Sequence, residues 1–390
     1  MNYKFALYIL ITLYLTIGCR QRNVLYNLLP SKTEKKISYR DIKLDSLVLK
    51  PLSSSLWGKI CVHDNFIDFI DQRLCWIFRY DQNGIFVGRF IGQGNGANQL
   101  PISTIEFFAP TQGGGYLFIG RSWDCFVFDR NFKETDDYQI NWNSSISQTS
   151  HTPLPDTNML DGYSLAYGIA KIHIVGDKVL LPLFSRHPLF NPTTEAYASS
   201  AKVLAIMDIT DGYIEGSFGR LSPFFIIHKN ARVFSYALIT PYAQNRLAII
   251  YPPDSLIYIA SEQADFIQSF GFAGRDMDTS YHPAKDFRSY PETWLSESRS
   301  KGYYSSLEYI PGRKVLFRSY QKGSRQPMDG LQIYKGDTLI ADVDVPKGFC
   351  VEGYIAPFFY SNGFIDETTG NITIYKFRLD TISIEGKNPI

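Results

Sequence analysis

The chain has almost no net charge, few cysteines and little helical rhythm, and each lack removes a class of protein. A formal charge of +1 over 390 residues leaves no field to gather nucleic acid or an anionic bilayer surface. The one basic cluster, residues 32–36, is short and interrupted by Glu34. Five cysteines fall without CxxC or Cys/His spacing, so no zinc-type site is written into the chain. His151, His173, His187, His228 and His282 are scattered without ligand spacing. There is no HExxH helix, no GxSxG elbow, no GxxxxGK loop and no Asp-rich calcium loop. Residues 92–96, IGQGNGA in context, make a poor nucleotide loop, because a proline and a strand follow where a helix must begin.

What is present is an apolar, aromatic chain, 45% and 15% respectively, with enough material to bury a large core in one or two domains. Its longest apolar run, residues 5–17 behind Lys4, is too short to span a bilayer comfortably and suits a signal-peptide core. The run closes on Leu15-Thr16-Ile17-Gly18-Cys19, which resembles a bacterial lipobox, with Thr16 in place of the usual leucine. That resemblance implies cleavage ahead of Cys19 and lipidation of its thiol; a plain secretory signal is the other reading. Arg20-Gln21-Arg22 lacks the acidic cluster that marks surface export in lipoproteins of Bacteroidetes. The expectation is therefore an anchor facing the periplasm, at the outer membrane, with contact to the membrane through lipid only. Residues 1–18 are expected as signal peptide, 19–38 as a polar tether and 39–390 as one folded domain. Past Cys19, the remaining cysteines Cys61, Cys75, Cys125 and Cys350 read as small buried hydrophobes, since equivalent positions in neighbouring repeats lie too far apart for a disulfide.

The best-formed local signal is residues 74–101. Two apolar strands flank Asp81-Gln82-Asn83-Gly84, an Asn-Gly hairpin signal in which both central residues tolerate positive φ. The same strand, loop, strand, turn, strand unit returns at 116–129, 179–218, 246–270, 314–343 and 358–377, each copy preceded by another β-rich stretch such as 102–108, 168–175 or 307–310. Six four-stranded antiparallel units repeated around an axis define an all-β, six-bladed β-propeller, with a pair of β-sandwiches as the alternative. The last copy lacks an outer strand. Residues 42–49 are expected to supply it and close the ring, with 381–384 as the competing candidate.

Asp71-Gln72-Arg73, the hairpin, and Ile91-Gly92-Gln93-Gly94-Asn95-Gly96 with Gln99-Leu100-Pro101 resemble one NHL-type repeat. Later copies keep only remnants, Phe128-Asp129, Phe218-Gly219 and Phe270-Gly271. With the lipobox, the chain is similar to NHL-like or TolB-like six-bladed propeller lipoproteins of Bacteroidetes. That resemblance implies a fold and a compartment, and no particular activity.

In a propeller the second-to-third loops and the blade-to-blade linkers share one face. The long insertions 140–167, 185–200 and 271–301 all belong to these two kinds, so one face is expected to be built up. Arg73, Arg121, Arg186 and Arg318 follow the second strands of their blades, where a ring of guanidinium groups would suit a carboxylate or phosphate. Asp71, Asp124 and Asp254 are the alternative partners for those arginines. His187, Tyr281, His282 and Trp294, with Tyr163, Tyr167 and Tyr290, lie in the insertions, placed to stack on a sugar or peptide or to pack the loops down. Glu106, Glu308 and Asp161 are the acidic candidates for an axial site. The favoured function is a non-enzymatic binding or interaction module for an envelope protein, peptide or carbohydrate, with no cofactor. The alternative is a calcium-assisted hydrolase or lyase, which needs three or more acidic side chains converging on the axis.

Overall fold

The first blade shows how the sequence is used. Its strands Gly58–His63, Phe66–Asp71, Trp76–Asp81 and Phe86–Ile91 pair antiparallel in chain order. The turn before the last strand differs from the expected pair of positive-φ residues: only Gly84 has a positive φ, 80°. Asp81 accepts hydrogen bonds from the amides of Asn83 and Ile85 at 2.8 and 2.9 Å, and the register shifts at Arg79/Tyr80. A three-residue loop ending in a left-handed glycine, with a bulge, therefore makes this hairpin.

The computed structural model describes residues 33–39, 41–141, 162–166, 171–185, 187–243 and 245–379. Within them the unit recurs as six separate sheets, which excludes a pair of sandwiches. Blade 2 runs Ile105–Pro110, Tyr116–Gly120, Asp124–Phe128 and Glu134–Gln139. Blade 3 has an interrupted first strand: Tyr163–Leu165 and His173–Val175 pair with the upper and lower halves of Lys178–Ser185, and Leu204–Asp208 and Ile214–Phe218 follow. Blade 4 comprises Leu238–Tyr242, Arg246–Ile250, Ile257–Ala260 and Phe266–Phe270; blade 5 comprises Tyr303–Ile310, Val315–Gln321, Asp329–Lys335 and Thr338–Val345.

Blade 6 closes the ring as expected. Val351–Ile355, Phe358–Ser361 and Asn371–Phe377 receive Asp45–Leu49 as their outer strand, with Asp45 opposite Lys376 and Leu49 opposite Ile372. The competing segment 381–384 lies outside the described residues. The segment before the closing strand holds one difference from expectation. Lys35–Tyr39, read from sequence as the end of the tether, pairs in parallel with Thr338–Val345 and makes blade 5 five-stranded.

Second strands are almost wholly buried, as in Tyr116–Gly120 and Val315–Gln321, because neighbouring blades cover both their faces. That double cover is why they read as largely apolar runs. Fourth strands meet solvent, and Glu134–Gln139, ETDDYQ, is almost wholly exposed. The cysteines Cys61, Cys75, Cys125 and Cys350 are free, the first three of them buried.

Between blades 1 and 2 the packing includes a buried ion pair. Asp68, fully buried, accepts from Arg79 Nε at 2.9 Å and Nη2 at 2.7 Å, and from the Tyr116 hydroxyl at 2.6 Å. His63 Nε2 lies 2.6 Å from that hydroxyl and 3.2 Å from Asp68. The guanidinium also stands over the rings of Phe66 and Phe132, at 4.5 and 4.6 Å. Burial pushes the Asp68 carboxyl up, but Arg79, His63 and Tyr116 together hold it below the usual carboxylate range.

First-to-second turns in every blade, and third-to-fourth turns in blades 1 to 5, are five residues or fewer. The opposite face, called here the linker face, carries α1 (Glu195–Ser200), α2 (Phe224–Ile227), a 3-10 turn (Lys229–Phe234) and α3 (Tyr290–Ser300). The expected asymmetry between the faces is present. Helix α3 was not anticipated from periodicity, although Ser289, a proline in its first turn, Glu292 near its start and Arg299 near its end are ordinary helix-boundary residues.

Candidate functional site

The candidates on the linker face separate rather than converge. Arg73 and Arg121 are exposed on the second-to-third loops of blades 1 and 2. Arg318 is fully buried, because its strand runs on to Gln321 and the side chain projects into the seam with blade 4. There it donates to Gln332 Oε1 at 3.0 Å, to the Ser255 carbonyl at 2.8 Å and to the Phe272 carbonyl at 2.6 Å, above the Tyr304 ring at 4.0 Å. It is a seam residue and not part of a funnel. Arg186, Tyr167, Asp161 and Cys19 lie outside the described residues. The aspartates proposed as arginine partners serve the loops instead. Asp71 accepts from the hydroxyls of Ser54 and Ser55 and from the Leu74 amide, Asp254 from Ser222, Tyr258 and the Leu256 amide, and Asp124 from Gln139.

The aromatic set divides in the same way. Tyr281 is buried, donating to the Gly302 carbonyl at 2.7 Å with its ring against Phe234, and Tyr290 donates to the Val233 carbonyl at 2.9 Å. Tyr163 receives the Lys202 amide at 2.8 Å. These three fasten insertions to the ring. Trp294 is half-buried against the same cluster. His187 accepts the Leu189 amide within its own turn, and His282 stays 73% exposed beside Glu297 at 3.0 Å. Among the described residues no hydrogen bond, ion pair or ring contact joins any two of Arg73, Arg121, Arg318, His187, Tyr281, His282 and Trp294. The glycine-rich segment 92–96 is a blade-to-blade linker folded on itself. The Gly96 amide donates to Gln99 Oε1 at 2.9 Å, and a Cβ on Gly94 would lie 2.1 Å from that same oxygen.

The first strands bring together a different set of residues. A chamber of about 230 Å³ at the linker-face end of the axis is lined by Lys59, Lys171, His173, Ser305, Ser306, Cys350, Glu352 and Asn362, among others. A second chamber of about 160 Å³ shares Lys59, Lys171, His173 and Glu352, and adds Gln72, Glu106 and Glu308 along blades 1 and 2. Every blade except the fourth thus sends one charged side chain to the axis, and blade 4 contributes Leu238 and Ile239. Lys171 comes from the interruption in the first strand of blade 3, just before His173–Val175. Its ammonium lies 2.5 Å from Glu352 Oε2 and 3.3 Å from Glu308 Oε2.

Three glutamates do meet at the axis, but two lysines stand among them, and Lys171 occupies the position between Glu308 and Glu352 that a cation would need. Among the described residues no group of three or more His, Cys, Asp and Glu side chains is disposed to hold a metal. Burial works against the Lys171 ammonium, yet the two carboxylates keep it firmly charged, above the usual lysine range. One ammonium does not satisfy both. Glu352 takes the shorter contact, and burial pushes Glu308 up to about 7 despite Lys171. Burial, with Lys171 alongside, pushes His173 down to about 3, so its imidazole is neutral; its Nε2 is buried with no hydrogen-bond partner.

A pH dependence follows. The native value for Glu308 lies above the ordinary 4.5, so between about 4.5 and about 7 the folded protein holds more protons than the unfolded chain. Stability from this group is therefore complete below that window and falls as pH rises through it. In urea unfolding at pH 5 and pH 8, the difference between wild type and Glu308→Gln is expected to change by on the order of 2 kcal/mol. A difference independent of pH would show that Glu308 is ordinarily ionised.

The sequence reading reached Glu106 and Glu308 and missed Lys59, Lys171 and Glu352. The signal was available: each is the lone charge in or beside the first strand of its blade. Aligning first strands before searching for motifs would have grouped them.

Six four-stranded blades around a polar axial channel define a six-bladed β-propeller. No protein-family model matches the chain, and no curated protein matches its sequence. Solved structures do resemble it. One is a member of the duf4221 family from Bacteroides vulgatus, with 11% identity and a TM-score of 0.61 over 87% of this chain and 98% of that one. Another, from Bacteroides fragilis, is a protein whose given name is that of an exported protein. It shows 13% identity and a TM-score of 0.50 over 88% of this chain and 98% of that one. At such identities the likeness concerns the fold.

Proposed function

We propose that this chain is a lipid-anchored module of the cell envelope that binds its ligand, without transforming it, where the axial channel opens on the linker face. The observation that carries this reading is the channel itself: a water-reached cavity lined by charged side chains from five blades, beneath a face on which the long linkers gather. Concave sites with a few convergent polar groups are where small ligands bind. The name of the Bacteroides fragilis neighbour agrees with export, and the lipobox-like Leu15 to Cys19 segment supports a lipid anchor. An NHL-like or TolB-like ancestry fits the first blade. The partner is an envelope protein, peptide or carbohydrate.

Thermal-shift measurements on the full chain in detergent, with calcium, glycans and acidic peptides, test this reading. A glycan or peptide is expected to raise the melting temperature and calcium to leave it unchanged, because only a ligand of the native state stabilises it. A calcium response lost on Glu352→Gln would instead place a calcium site at the axis, as the hydrolase or lyase reading requires, and would overturn the binding reading. For the anchor, Cys19→Ala is expected to move the protein from the membrane to the soluble fraction and to abolish incorporation of labelled palmitate. Membrane retention of that variant would remove the lipid anchor.

A further inference from the structure

The charges in the axial channel do not balance locally. Lys171 is committed to Glu352 and Glu308. Glu106, which lines the second chamber only, accepts from the Thr104 hydroxyl at 3.3 Å. His173 is neutral. Lys59 remains, and among the described residues no carboxylate lies within 4 Å of its ammonium. Glu352 is its nearest electrostatic counterweight, and Lys171 acts against it. Lys59 is exposed to the water of the channel, and desolvation by the surrounding chain lowers its pKa.

An ammonium that lines a cavity with no ion-pair partner is free to take a counter-ion from solution. Resting on the binding reading above, we infer that the linker-face chamber takes a small carboxylate, with Lys59 as its counter-ion and Ser305, Ser306 and Asn362 as its polar neighbours. All four line the same cavity. The ligand carries one negative charge, because one cation is free and the Glu352 side chain in the same wall opposes a second. That argues for a carboxylate over a phosphate dianion. It is also small, since about 230 Å³ lies below the roughly 300–1,000 Å³ of sites for drug-sized molecules. Ile60, Leu238, Ile239 and Leu307 in the wall give it an apolar flank.

The test compares wild type, Lys59→Met and Lys59→Arg as full chains in detergent, at fixed ionic strength. Without ligand, Lys59→Met is expected to melt within about 1 °C of wild type, because an exposed ammonium without an ion-pair partner contributes little to stability. A melting point lower by more than this would mean that Lys59 is a structural partner of Glu352, and would overturn the inference. The probes are acetate, N-acetylglycine and glucuronate, paired with acetamide, N-acetylglycinamide and glucose, and inorganic phosphate. At least one carboxylate is expected to raise the melting temperature of wild type and of Lys59→Arg, with the rise lost in Lys59→Met and absent for its neutral counterpart. No carboxylate response, a response retained in Lys59→Met, or a larger response to phosphate each overturns the assignment. If a neutral sugar stabilises wild type and Lys59→Met equally, the axial site stands as a binding site and only the carboxylate is lost.

Discussion

Asp68→Ala is expected to lower the unfolding free energy by about 3–5 kcal/mol, the range for removing one partner of a buried ion pair. The loss comes less from the missing contact than from what remains. Arg79, with 8% of its side chain exposed, is left charged between the rings of Phe66 and Phe132, and the Tyr116 hydroxyl loses its acceptor. Removing both charges is milder than removing one, so Asp68→Ala with Arg79→Met should recover a large part of the loss. The pH dependence has a definite sign. Because the native Asp68 value is depressed, its contribution is present above the ordinary value of about 3.9 and disappears as pH falls through the native one. Urea titrations of the two single variants and the double variant decide the matter. A single-variant loss below about 1 kcal/mol, or strict additivity, would show that the pair is not coupled.

Lys171→Met is expected to cost roughly 3–4 kcal/mol at pH 8, for a related reason. It strands two carboxylates, Glu308 and Glu352, whose side chains are 16% and 12% exposed. Lys171 itself keeps 35% exposure, so water is able to follow the deleted ammonium and the loss falls short of a fully dry site. Protonation offers a second escape. The loss should shrink at pH 5, where Glu308 is neutral in both proteins, and a further Glu352→Gln change should recover much of the rest. Equal losses at pH 5 and pH 8 would mean that the lysine acts through packing alone.

These two clusters mark the boundary of what the sequence makes legible. Blades are legible because their second strands, covered on both sides, are largely apolar, and because aspartate and glycine punctuate the outer turns. Residues 116–120 could hardly be read otherwise. Ring closure by residues 45–49 was legible too, since a three-stranded last blade next to an unpaired early strand leaves little choice. The axis was not. One lysine in Gly-Lys-Ile-Cys-Val-His looks like any half-exposed strand charge, and its meaning arises only when five such strands converge. The arginines failed in the opposite sense: Arg318, expected at the exit of its strand, lies inside a strand that runs on to Gln321 and carries the side chain into the seam. Lys35–Tyr39 escaped notice because only Ile37 and Tyr39 in it are apolar, and what fixes it is the backbone edge of Thr338–Val345.

The closure of blade 6 also sets an order of events in time. Asp45–Leu49 is among the first parts of the folded domain to be synthesised, and its partner Asn371–Phe377 is among the last. Blades 1 to 4 pair through local hairpins and are free to form as they emerge, whereas the closing strand of blade 6 and the added strand of blade 5 join segments separated by almost the whole chain. Long-range pairing of this kind meets the largest loop-closure entropy and is the slow step. Until it occurs, an unpaired strand edge stays open at each end of an incomplete ring, available to any other extended chain. An incomplete ring is therefore the form of this chain most exposed to misassembly.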